Sequence, residues 1–373
     1  MPTKSTKQYM AREGWGKPSR PSLTERVPVS RVRFTPFGRT IECAEGEPIL
    51  RAALSQGYFL RYGCKHGGCG TCKVLVTDGD VEDAGSSFAL TYGERSAGWT
   101  LVCSSRPLSD CVIDLSAMSL TEEEFLAGDQ IEAFDTVIER VTDLTPTILG
   151  VTLRLVNPPQ MRFTAGQFVN VEVPGTDSVR AFSMANAPSE NSKIELVVKS
   201  FPGGQFSEYL RHAEKGQLVR VFGPLGSLRV RLSYRKVLMI ASGSGLAPLL
   251  SMLADLTQRK DRRPVTVFFG ARIPEELYYL DRLNALRDLG PQVAVVPVVE
   301  EANQAWTGET GHVTDVIARR MGGLRGYDAY VCGPPSIVAD ARELVVRLGV
   351  REANVYFDAL VPTGVNPGPA VSP

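Results

Sequence analysis

No run of apolar residues in this sequence approaches the ~18 that a membrane-spanning helix needs, so no stretch reads as one. Formal charge is balanced at +0, with a sequence pI of about 6.9. That balance argues against nucleic acid or an acidic membrane surface as the main partner. The seven cysteines are an odd number, unlike a secreted disulfide framework, and a reducing cytoplasm is the expected location. The basic N-terminal stretch lacks the apolar core of a signal peptide, and residues 1–29 read as a flexible tail. With three histidines in all, the chain gives little support to a centre that needs a pair of them, such as a Rieske site.

What is present divides into three blocks. Residues 30–118 begin strand, turn, strand (VRFTP, FG, RTIEC), continue through a helix opened by Pro48 and stopped by Gly57, and end with VLVT and CVIDL. A small mixed sheet with one helix is predicted. Residues 119–131, SLTEEEFLAGDQ and the residue after it, are acidic and turn-rich and read as a linker. Residues 132–232 carry closely spaced alternating runs (DTVIERVTDL, ILGVTLRLV, QFVNVEV, KIELVVK, LVRVFG), which predict a small antiparallel barrel. In residues 233–360 strands and helices alternate, as in a parallel sheet with crossovers, and residues 361–373 read as a second tail.

The first block holds the most specific motif. YGCKHGGCGTCKVLV sets Cys64, Cys69 and Cys72 at C-x4-C-x2-C, with Cys103 after a gap of thirty residues. This is plant-type [2Fe–2S] spacing. Two irons bridged by sulfide need four thiolates; one tight loop supplies three and a distant strand end the fourth. Gly63, Gly67, Gly68 and Gly70 leave room for backbone N–H groups to turn toward the sulfurs. Structural zinc prefers paired C-x2-C knuckles, and only one is present. Cys43 and Cys111 fall in strand patterns, where a thiol acts as a small hydrophobe.

The other two blocks carry weaker motifs that gain meaning together. RAFSMAN (180–186) and FPGGQFS (201–207) offer an arginine for a phosphate, an aromatic ring, a hydroxyl and a Gly-Gly turn. IASGSGLAPLL places Gly243, Ser244 and Gly245 between a strand and a helix, with Pro248 where a third glycine is usual. At these residues the chain resembles the ferredoxin–NADP reductase superfamily. That resemblance implies Arg180 on the FAD pyrophosphate, Phe182 against the isoalloxazine, Ser183 near flavin N5, and Gly203, Gly204, Gln205 and Ser207 along the phosphates. Val198 and Lys199, ending KIELVVK, join the cofactor-binding set by the same resemblance. Gly243, Ser244, Gly245 and Pro248 would form the nicotinamide-coenzyme turn. Arg272, Glu275 and Glu276 would lie by the adenosine ribose, where arginine favours a 2′-phosphate and the glutamates favour the free hydroxyl of NADH; the acids tip the expectation to NADH over NADPH. In YVCGPPSIV, Cys332, Gly333 and Pro334 would border the nicotinamide, so Ser183 and Cys332 are the expected catalytic pair. Near the end, VYFDALVP leaves open whether Phe357 or Leu360 covers the flavin.

The order ferredoxin, flavin barrel, nicotinamide domain resembles the NADH-dependent reductase components of multicomponent bacterial oxygenases. SSFALTYGERSAGWTLVCSS is most similar to reductases of soluble di-iron monooxygenases of the phenol, propane and methane type. The implied fold is multidomain α+β and α/β: a β-grasp ferredoxin, an antiparallel β-barrel and a Rossmann-like parallel sheet. The implied activity is electron transfer from NADH through FAD and the cluster to a hydroxylase, with Lys65 and His66 on the docking rim. Two rivals are a reductase for an aromatic-ring dioxygenase and a non-catalytic redox sensor. Glu309 and His312 have the spacing of a di-iron ligand pair, but one copy in a glycine-flanked loop lacks the helical bundle such a site requires.

Overall fold

The computed structural model describes residues 29–63, 67–68, 70–83, 89–126, 131–176, 178–289 and 293–361. Three large sheets follow one another along the chain, one in each block, and a two-stranded sheet of Val81–Asp83 and Ser105–Pro107 also falls in the first block. The first has five strands, in spatial order Arg39–Ala44, Val29–Thr35, Cys111–Asp114, Lys73–Asp78 and Trp99–Leu101. Val29–Thr35 runs parallel to Cys111–Asp114 and antiparallel to Arg39–Ala44. Alternation in VSRVRFT sends Val32 and Phe34 inward, where helix Ile49–Ser55 packs Ile49, Ala52 and Ala53 over them. This is the expected β-grasp arrangement.

Within the stretch read as a linker, residues 119–126 are built into that first module. Thr121 and Glu124 satisfy each other's backbone N–H groups at the start of helix Glu122–Leu126. Phe125 on that helix is fully buried, stacked on Phe37 at 4.7 Å and on Tyr58 at 5.1 Å and set edge-on to Phe34 at 5.8 Å. The acidic surface of EEEFL hid one aromatic anchor.

The second sheet is antiparallel, six strands in the order Val179–Ser183, Phe168–Glu172, Leu218–Leu225, Glu132–Thr145, Ile148–Asn157 and Lys193–Lys199. A bridge between Met184 and Leu196, with Ala185 N–H donating to Glu195 O at 2.8 Å, joins the two outer strands and closes the barrel. The third sheet is parallel, in the order Glu309–Thr310, Val293–Val299, Val265–Ala271, Lys236–Ser242, Tyr327–Gly333 and Val355–Ala359. Its strands are apolar along their length because helices cover both faces. The chain reverses direction across the sheet between Lys236–Ser242 and Tyr327–Gly333, which makes a topological switch point.

Barrel and parallel sheet share one core. Ile148, Ala165, Ala185, Val197 and Leu228 from the barrel pack with Leu246, Leu249, Leu250 and Leu253 of helix Leu246–Gln258. Two polar contacts fix the alignment: Arg282 Nη1 to Glu195 Oε2 at 2.7 Å, and the Ser251 hydroxyl donating to Asn186 O at 2.6 Å. Burial raises the Glu195 carboxyl, but its bonds from Lys193 and Arg282 outweigh this and hold it below the ordinary range. No helix among the described residues is long and apolar enough to cross a membrane.

Replacing Phe125 by alanine removes the aromatic anchor and is expected to cost about 3–5 kcal/mol in the first module. Hydrogen exchange on the full chain should quicken in Val29–Thr35 and Cys111–Asp114 while the barrel strands keep their protection. Equal loss in both modules would contradict this assignment.

Candidate functional site

A cleft of about 620 Å³ opens where the barrel meets the carboxyl end of the parallel sheet. Its barrel wall is formed by Arg180, Phe182, Ser183, Val198, Lys199, Gly203, Gly204, Gln205 and Ser207, so every residue expected at the flavin is gathered there. These come from three separate elements. Val179–Ser183 brings the first three, Lys193–Lys199 ends in the next two, and the turn opening helix Gln205–Arg211 supplies the rest.

Local chemistry explains how each is held. The Arg180 guanidinium donates to Gln205 Oε1 at 2.9 Å and Val179 O at 3.0 Å. Both acceptors are neutral, so its charge stays available to an anion in the cleft. Ser183 is 7% exposed and sits opposite Phe168, another cleft-lining residue. Phe182 leans on Phe206, their centroids 5.2 Å apart. Gly203 has φ +75°, and a Cβ built there meets only open space. Its N–H donates to a Glu208 carboxylate oxygen at 3.1 Å, an anionic acceptor like a phosphate oxygen. The Ser207 hydroxyl donates to Gly204 O at 2.8 Å. An N–H that donates to an anion, an arginine without a carboxylate partner among the described residues, and an aromatic and aliphatic wall together fit a flavin nucleotide.

The opposite wall belongs to the parallel sheet. Gly243, Ser244, Ala247, Pro334 and Pro335 line the cleft. Gly243 has φ +54° with open space beyond it, while a Cβ on Gly245 would lie 2.2 Å from Cys332 O. Only glycine allows that crossing. Pro248 lies buried in the first turn of its helix, where its missing N–H costs no bond. The Tyr278 hydroxyl, on a 4% exposed side chain, donates to Gly243 O at 2.9 Å and holds the turn. No local motif marked Tyr278.

Other expected residues lie apart from the cleft lining. Cys332 is fully buried behind the Gly245 crossing, and Gly333 follows it at the end of the strand. Burial, reinforced by the Asp358 carboxylate, pushes the Cys332 thiol well above its usual range, so it is neutral. Arg272, Glu275 and Glu276 stand beyond the end of strand Val265–Ala271. At the chain's end Asp358, Ala359, Leu360 and Val361 line the cleft, whereas Phe357 lies under the Arg342 guanidinium at 3.9 Å. The cleft-lining Phe168 carried no sequence signal beyond its strand.

Of the four expected cluster ligands, Cys64 and Cys69 lie outside the described residues, as do Lys65 and His66 of the expected docking rim. Cys72 is 2% exposed, and Val102 N–H donates to Cys72 O at 3.2 Å, which sets the following Cys103 beside the cysteine loop. Ala89 N–H donates to Gly67 O at 3.3 Å and backs that loop, in which Gly67 and Gly70 have positive φ. Two cysteines brought close along the chain by that backbone contact, near the positive-φ glycines Gly67 and Gly70, fit an iron–sulfur cluster. Cys43 and Cys111 are buried in the core, their thiols each pushed up by desolvation to about 11.

Comparison with known proteins matches the three modules in order. A 2Fe-2S iron-sulfur cluster binding domain covers residues 32–108, an oxidoreductase FAD-binding domain 136–230 and an oxidoreductase NAD-binding domain 239–343. The chain is 38% identical to the phenol 2-monooxygenase reductase component DmpP of Pseudomonas sp. (strain CF600), over 88% of this chain and 93% of that one. It is 33% identical to the propane 2-monooxygenase reductase component of Mycolicibacterium smegmatis, over 88% of this chain and 96% of that one. Among solved structures, the Amycolatopsis cytochrome P450 reductase GcoB superposes with a TM-score of 0.70 at 27% identity, over 89% of this chain and 99% of that one.

Tyr278→Phe would leave the Gly243 carbonyl without its hydroxyl donor, a loss of about 1 kcal/mol. The expected result is an NADH KM raised about fivefold with FAD content unchanged. An unchanged KM would remove Tyr278 from the positioning of that turn.

Proposed function

The chain belongs to the iron–sulfur flavoprotein reductases of multicomponent oxygenases, and we propose that it delivers electrons from NADH to the hydroxylase of a multicomponent monooxygenase. The observation that carries this reading is the single cleft shared by the flavin wall of the barrel and the nicotinamide turn of the parallel sheet. When bound, NADH supplies a hydride, FAD divides it into single electrons, and a [2Fe–2S] cluster takes those electrons one at a time.

The chain's own residues do the positioning. Arg180 and the Gly203 N–H would hold phosphate oxygens, the latter in place of the Glu208 carboxylate to which it donates here. Phe182, Val198 and Leu360 present apolar surface to the ring system, and Lys199 offers a cation at the same wall. Gly204, Gln205 and Ser207 shape the turn that carries the phosphates. The Ser183 hydroxyl would be the hydrogen-bond donor near the reacting edge of the flavin. Gly243, Ser244 and Gly245 let the coenzyme backbone approach, and Gly333 and Pro334 border its nicotinamide. Cys332, neutral and packed beneath, gives that pocket an apolar floor.

Cys64, Cys69, Cys72 and Cys103 would hold the cluster, the outlet of the path, and Lys65 and His66, within the same cysteine stretch of the sequence, would form the rim on which the oxygenase docks. A reducing cytoplasm suits such thiolates. Nothing in this path calls for nucleic acid or a membrane.

Cys72→Ser separates inlet from outlet. The variant is expected to lose NADH-driven reduction of the hydroxylase while still reducing ferricyanide, which accepts electrons from the flavin directly. Hydroxylation supported by the wild-type protein only with a ring-hydroxylating dioxygenase would replace the monooxygenase assignment. No NADH oxidation with any acceptor would point to a redox sensor instead.

A further inference from the structure

Lys73 and Ser104 each follow directly on an expected cluster ligand, Cys72 and Cys103. Both are tied to one short helix, Tyr92–Ser96. The Lys73 ammonium donates to Glu94 Oε1 at 2.6 Å. The Arg95 guanidinium donates to Asp83 Oδ2 at 2.9 Å, and the Ser104 hydroxyl donates to the other oxygen of that carboxylate at 3.0 Å. Consecutive helix positions therefore brace the residues beside two different thiols, Glu94 directly and Arg95 through Asp83.

A helix this short has little stability of its own, and it is held by a reciprocal cap. Glu94 N–H donates to Thr91 Oγ1 at 3.1 Å, and Thr91 N–H donates to Glu94 Oε2 at 2.7 Å, while Glu94 Oε1 takes Lys73. Strand Trp99–Leu101 pairs with Lys73–Asp78, Leu101 opposite Lys73, so the segment that follows Cys72 and the one that precedes Cys103 are neighbours in the first sheet. Burial raises the Glu94 carboxyl, but its bonds from Lys73 and Thr91 outweigh this and hold it below the ordinary range. Each brace pairs opposite charges, Lys73 with Glu94 and Arg95 with Asp83.

We propose that Glu94 and Arg95 are positioning residues of the iron–sulfur centre, fixing the chain beside Cys72 and Cys103 and balancing the charge there, so that they set the cluster's reduction potential. The inference rests on the reading that Cys72 and Cys103 are cluster ligands. Reduction adds one electron, and with it one negative charge, to the cluster, so an uncompensated charge nearby favours one redox state. A bare ammonium or guanidinium favours the reduced state and raises the potential; a bare carboxylate lowers it. With both braces intact, neither sign is in excess at these side chains. The capped helix holds the charges in place and ties them to both ligand segments.

The test uses the full-length holoprotein carrying Glu94→Gln, Lys73→Met, Asp83→Asn or Arg95→Gln, and the double variant Glu94→Gln with Lys73→Met. Redox titration followed by electron paramagnetic resonance reads the cluster potential. Glu94→Gln strips Lys73 of its partner and should raise the reduced-to-oxidised ratio of the cluster at a fixed potential about threefold, whereas Lys73→Met should lower it by a similar factor. Asp83→Asn should act like Glu94→Gln and Arg95→Gln like Lys73→Met, each by less because Arg95 is the more exposed cation. The double variant should return to the wild-type value. A shift of all the single variants in one direction, as a merely structural role would give, overturns the proposal, and so does a wild-type potential throughout. Where a single variant loses its cluster, the swapped pair Lys73→Glu with Glu94→Lys keeps the brace and should restore the cluster at the wild-type potential; failure to do so also overturns the proposal. A wild-type protein without the resonance of a [2Fe–2S] cluster overturns the underlying reading, and the proposal with it.

Discussion

The packing of helix Leu246–Gln258 against the barrel is the contact on which the site depends. Leu246, Leu249, Leu250 and Leu253 meet Ile148, Ala185 and Val197 in one apolar core. Apolar burial of this kind is strong but non-directional. The Arg282–Glu195 pair and the Ser251–Asn186 hydrogen bond supply the direction. Partly exposed to solvent, that ion pair contributes on the order of 1 kcal/mol, so its value lies more in alignment than in stability. With the two modules seated this way, the Gly203 turn and the Gly243 turn face a common cleft. A hydride transfer requires its two partners to be held within van der Waals reach, and a rigid shared core provides that.

Much of this was legible in the sequence because the signals are local. Strand–turn–helix rhythm, the C-x4-C-x2-C loop and the Gly-Gly turn each concern neighbouring residues. The barrel and the parallel sheet followed from periodicity, and all nine residues expected at the flavin line one cleft. What was hidden depends on distant pairings. Tyr278 reaches Gly243 across 35 positions. Glu94 meets Lys73 across 21 positions. Phe125 looked like part of an acidic linker because five residues of helix offer too little periodicity to show which face is buried.

Cys332 shows the complementary case. Its motif was plain, yet its position beneath the Gly245 crossing follows from a close approach that no local pattern encodes. Leu360, just past the last strand, lines the cleft, whereas Phe357, on that strand, lies under Arg342. The last strand therefore matters as much for what it turns away from the site as for what it presents.

The account's central claim is a continuous electron path from a nicotinamide coenzyme through a flavin to an iron–sulfur cluster. Anaerobic titration of the holoprotein with NADH, followed by visible absorption, tests it most directly. Flavin and cluster bands should bleach together to completion at about 1.5 equivalents of NADH, since a flavin takes two electrons and the cluster one. Bleaching of the flavin alone, with the cluster left oxidised at excess NADH, would contradict the path.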